Sequence, residues 1–86
     1  DLLQQIEQKH PGGTIELRVP PYGAVQCIAG QEHRRGTPPN VVEIAPELFI
    51  ALVLGSEDFA SHVNTRELSL SGARAHEVHQ VFEQSR

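Results

Sequence analysis

Seven consecutive apolar residues, Leu48 to Leu54, stand between Pro46-Glu47 and Gly55. Proline in a first helical turn with an acid behind it, and glycine past the end, predict a helix over Pro46–Leu54. A helix apolar on every side is either buried all round or turns one face to a partner or ligand. Ser56 as N-cap, Glu57 and Asp58 in a first turn, and Phe59, Ala60 and Val63 at helical spacing predict a second, shorter helix. Asn64 tolerates the left-handed conformation that ends such a helix, and Glu67 to Ser71 then alternates as a strand up to Gly72.

On either side of this block the pattern changes period. Asp1 to Lys9 carries Leu2, Leu3 and Ile6 on one side of a short helix, and Pro11, Gly12 and Gly13 end it. From Thr14 to Val19 the chain alternates, with Ile15, Leu17 and Val19 against Glu16 and Arg18, as a half-buried strand does. A turn at Pro20, Pro21, Tyr22 and Gly23 leads to a second strand, Ala24 to Ala29, with Val25 and Cys27 opposite Gln26 and Ile28. So tight a connection predicts an antiparallel hairpin. Gly30 to Asn40 reads as an exposed irregular segment, Val41 to Ile44 as a third strand, and Val78, Val81 and Phe82 as the apolar side of a last helix reaching about Glu83.

Strands with helices gathered in one block predict an α+β fold: a mixed, mainly antiparallel sheet of four to five strands covered by helices. Three strands are expected to meander, with the fourth returning beside the first. All 86 residues are expected to form a single domain, residues 1–86, with a modest core.

Charge and composition narrow the function. Seven basic against eleven acidic residues, a net charge of −4, argue against a general binder of nucleic acid or anionic membrane. No apolar run is long enough to span a bilayer and no secretory leader is expected, so the expected location is cytoplasmic. One cysteine, Cys27, rules out an internal disulfide and fits a reducing compartment. The absence of Met, and a helical pattern already running at the first residue, suggest a trimmed chain or a piece of a longer one.

Candidate chemistry is sparse. His76 and His79 share a helix face that His62 could approach, but no spacing resembles a metal signature, and neither a metal nor another cofactor is expected. No nucleophile elbow or phosphate-cradling glycine loop is present, and Cys27, set within a strand, reads as a buried thiol, so no catalytic residue is assigned. Arg34 and Arg35, adjacent on the irregular segment, suit a carboxylate or phosphate head group; the alternative is a solvated loop in which they pair with Glu32 or Glu43. The apolar helix must cover its outer side with other helices, a second chain or a hydrophobic ligand.

Two stretches carry a family resemblance. Arg18-Val-Pro-Pro-Tyr-Gly-Ala-Val-Gln-Cys-Ile28, followed by Gly30-Gln-Glu-His-Arg-Arg-Gly-Thr-Pro-Pro-Asn-Val-Val-Glu43, resembles the small bacterial branch of the sterol carrier protein family. The apolar helix ending at Gly55, the short helix with Phe59 and Ala60, and the strand ending at Gly72 resemble the wider superfamily. The resemblance implies a sheet covered by helices, with a helix block lining a hydrophobic site for fatty acids, sterol-like molecules or acyl-coenzyme A. This chain is shorter than eukaryotic members, which makes a shallow groove or a dimer-completed cavity the expected form of the site.

The leading expectation is therefore a non-catalytic domain binding lipid or another hydrophobic ligand. Val25, Ile28, Leu48, Phe49, Leu52, Val53 and Phe59 would line the site, and Arg34 or Arg35 would meet an anionic head group. A homodimeric protein-interaction module is the second reading. A third, an accessory domain of a thiol-dependent, isomerase-like enzyme, follows from larger enzymes that contain similar domains.

Overall fold

A computed structural model describes residues 1–30 and 40–83. The elements follow as α1 (Leu2–Lys9), β1 (Ile15–Val19), β2 (Gly23–Cys27), β3 (Asn40–Ile44), α2 (Pro46–Leu54), α3 (Phe59–His62), β4 (Leu68–Ser71) and α4 (Gln80–Glu83), the last entered through a 3₁₀ helix, Ala75–His79. This is an α+β fold with a mixed four-stranded sheet.

Local chemistry accounts for the element ends. Asp1 Oδ1 accepts from the Gln4 N–H at 2.9 Å and Gln4 Oε1 accepts from the Asp1 nitrogen at 3.2 Å, a reciprocal cap that starts α1. Gly55 closes α2 with a φ of 80°, as expected from its place after the apolar run. The cap of α3 differs from expectation. Asp58 accepts from the Ser61 N–H, whereas the Ser56 hydroxyl donates back to the Ala51 carbonyl at 3.3 Å and so finishes α2. Asn64 is left-handed at φ 66°, in the position anticipated for it.

The strand order is β2-β1-β3-β4. β1 and β2 form the expected antiparallel hairpin, with Ile15 opposite Cys27 and Val19 opposite Gly23. Beyond that the topology departs from the meander. β3 lies parallel to β1, with Leu17 opposite Val42, and β4 pairs antiparallel with β3 rather than beside β1. The geometry explains the difference: Cys27 and Asn40 both stand opposite Ile15, at one end of the sheet and on either side of β1. With strands about 4.8 Å apart, stepping over one strand spans about 10 Å, well within the reach of the residues between Cys27 and Asn40.

β2 also ends sooner than alternation suggests, because Ile28 has a φ of 71° and leaves the ladder. Its N–H donates to the His10 carbonyl at 2.8 Å and its own carbonyl accepts from the Thr14 N–H at 3.2 Å. The turn after α1 passes directly over this point: a Cβ on Gly12 would lie 2.1 Å from the Ile28 carbonyl oxygen, so only glycine fits there.

The described helices cover one face of the sheet. Ile15, Leu17, Val42, Ile44 and Leu68 meet Leu3 and Ile6 of α1, Leu52 of α2 and Phe82 of α4 in a single apolar core. The opposite face presents Glu16, Arg18, Gln26, Glu43 and Ser69, and is polar. Among the described residues no helix is long and apolar enough to cross a membrane.

Candidate functional site

A helix turns about 100° per residue, so the nine residues of α2 sort into faces. Leu48, Phe49 and Leu52 point into the core, Ala51 and Val53 are half-buried, and Glu47, Ile50 and Leu54 look outward. The question posed by an all-apolar helix is thus resolved: one face is buried, and Ile50 and Leu54 stay 45 % and 75 % exposed. Tyr22, in the turn between β1 and β2, is 76 % exposed.

Two adjoining depressions, sharing Leu2, lie along α1 beside α2, hereafter the two compartments of a cleft. The larger, about 500 Å³, is bounded by Leu2 and Leu3 of α1, Val19, Tyr22, and Pro46, Phe49 and Ile50 of α2, with Asp1 and Glu47 also on its border. The smaller, about 220 Å³, has Ile6, Val53 and Val81 as its apolar wall and Gln5, Lys9 and His10 as its polar one. Leu2 borders both. The larger compartment, mostly apolar in its wall, accepts apolar surface from a ligand, whereas the smaller is mixed in character.

Of the residues expected to line a site, Phe49 and Val53 border this cleft. Leu48 and Leu52 are core residues. Phe59 lies against Phe82 in α4, with ring centroids 6.2 Å apart. Val25 is half-buried on β2 and Ile28 is buried beside the turn that follows α1, and each borders a different surface depression. Arg34 and Arg35 lie outside the described residues. Sequence reasoning missed Leu2, Val19, Tyr22, Pro46 and Ile50. One signal was available: Leu3 and Ile6 suffice for the buried stripe of α1, which leaves Leu2 as a surplus apolar residue at its edge.

Cys27, the Arg74–Glu77 pair and the paired histidines lie away from the cleft. Cys27 is fully buried in the sheet, and burial pushes its thiol up to about 11. Arg74 donates to both Glu77 carboxylate oxygens, at 2.8 Å and 2.7 Å, and this bonding holds the Glu77 carboxyl below the usual carboxylate range. His62 and His79 each pair with a glutamate, His62 with Glu57 at 2.7 Å and His79 with Glu83 at 2.6 Å. Among the described residues no group of three or more His, Cys, Asp or Glu side chains is arranged to hold a metal ion.

Residues 1–83 match the family described as bacterial SCP ortholog, a match that spans both walls of the cleft and the sheet behind it. The chain belongs to this family. No curated protein sequence matches it. As a bacterial, sterol-carrier-protein-like chain it has, among the described residues, apolar surface on the helical layer along the cleft and on the outer side of α2.

Proposed function

We propose that this sterol-carrier-protein-like chain is a non-catalytic, cytoplasmic binding domain for a hydrophobic ligand held in the cleft between α1 and α2. The observation that carries the reading is the larger compartment, about 500 Å³ and walled by Leu2, Val19, Tyr22, Phe49 and Ile50. It exceeds the roughly 300 Å³ at which small-molecule pockets begin. Fatty acids, sterol-like molecules and acyl-coenzyme A all present apolar surface of the required kind, and Arg34 or Arg35 is the proposed contact for an anionic head group. A ligand that buries about 300 Å² of apolar surface gains about 7 kcal/mol from that burial. Ordering losses reduce this, so an open groove of this size supports binding in the micromolar range or weaker.

The chain itself is given no reaction, because the thiol of Cys27 is buried and stays protonated at neutral pH. Titration with a fluorescent fatty acid tests the reading. Saturable binding at micromolar ligand is expected, weakened tenfold or more by Ile50→Asp, an exposed position where the fold tolerates a charge. A folded wild-type protein that shows no saturation at these concentrations would sink it.

A second reading, a homodimeric interaction module, draws on the exposed pair Ile50 and Leu54 on α2. Sedimentation at high micromolar concentration distinguishes the two, since a monomer there contradicts the dimer and leaves the cleft open to a ligand.

A further inference from the structure

We infer that Leu2 sets the length of the apolar chain that the cleft accepts. This rests on the ligand reading above and adds a specificity-determining residue to it. Among the described residues Leu2 is the one that borders both a space of about 500 Å³ and one of about 220 Å³, which is the position of a partition between them. Apolar wall continues on both sides of it: Val19, Phe49 and Ile50 before, Ile6, Val53 and Val81 beyond. A straight chain lying in the larger compartment therefore ends against Leu2, although the surface past it would accept more methylenes.

Leu2 is also free to act this way. Leu3 and Ile6 anchor α1 in the core, whereas Leu2 is half-buried and is not among the core residues. It occupies the first turn of α1, whose cap is made by Asp1 and Gln4, so its side chain can change without loss of the helix start. Alanine at this position removes the partition and favours the helix. Phenylalanine thickens it.

A neutral ligand series isolates chain length, because Asp1 and Glu47 border one compartment and Lys9 the other. The experiment is displacement of the neutral dye N-phenylnaphthylamine by straight-chain primary alcohols from hexanol to tetradecanol. In the wild type, affinity should rise about fourfold per methylene and then flatten at a break. Leu2→Ala should carry the rise past that break, and Leu2→Phe should move the break to a shorter alcohol. Leu54→Ala, on the exposed side of α2 and outside both compartments, should leave the profile as in wild type. An unchanged break in both Leu2 variants, each with native circular dichroism, overturns the inference. If no alcohol displaces the dye while the fluorescent fatty acid still binds, the inference falls and the ligand reading stands; loss of both removes both.

Discussion

Phe49 of α2 and Phe82 of α4 meet edge to face, with ring centroids 6.1 Å apart and planes at 74°. Phe59 of α3 stacks on the same Phe82, so one side chain ties three helices together. Phe82→Ala should therefore destabilise the domain by about 3–5 kcal/mol, the range for truncating a buried aromatic. Total stability for a domain is about 5–15 kcal/mol, so much of the population unfolds in a marginal case. Urea unfolding followed by circular dichroism measures this, and a change below about 1 kcal/mol would show that Phe82 does not hold the helices.

Asn40 bridges two elements through both ends of its amide. Its Nδ2 donates to the Thr14 carbonyl at 2.9 Å, and its Oδ1 accepts from the Arg74 N–H at 2.8 Å, at a buried position. Asn40→Asp keeps the acceptor but sets a second oxygen against the Thr14 carbonyl. We expect a loss of about 2 kcal/mol or more at neutral pH. The loss should shrink at acidic pH, where a protonated carboxyl can donate again, and thermal melts at the two pH values check both parts.

The Cys27 thiol, raised to about 11 by burial, is protonated in the folded protein at pH values where an exposed thiol ionises. Between the ordinary value near 9 and the folded value the unfolded chain binds fewer protons, so stability falls as pH rises through that window. Cys27→Ala should flatten this alkaline limb, although it lowers stability at neutral pH by opening a small cavity. A thiol-specific reagent should react with the native protein far more slowly than with the urea-unfolded chain.

Glu77 has the opposite sign. Bonding from Arg74 lowers its carboxyl, so the stabilising contribution is present above the ordinary carboxylate range of about 4.3 and is lost as pH falls through the folded value. Glu77→Gln should lower the plateau above that range slightly, the pair being half-exposed, and leave stability below the folded value unchanged, so that the acid limb of a stability-against-pH curve is shallower. Denaturant midpoints across acidic pH supply the curve.

Much of this fold was legible because its boundaries are punctuated. Pro46 and Gly55 bracket α2, and Pro20 to Gly23 announces the hairpin. Strand neighbours were not, since alternation tells which face Leu17 occupies but not that Val42 lies beside it. Ile28 was misread as a strand residue because nothing in a β-branched side chain signals a positive φ; the bonds to His10 and Thr14 impose it. At the candidate site, Phe49 and Val53 were readable from the apolar helix. Leu2 showed only as a surplus apolar residue at the edge of α1, and Tyr22 not at all, because they join Phe49 and Val53 only when α1 and the hairpin turn close over the same side of the sheet.

The position of β1 has a consequence for how the chain is made. Its hairpin partner β2 follows at once, but its second neighbour begins only at Asn40. During synthesis the hairpin is complete while one edge of β1 still lacks a partner and its apolar side lacks the part of the core that the later helices supply. That interval, before Val42 and the later helices emerge, is when the nascent chain is most open to pairing with the wrong strand.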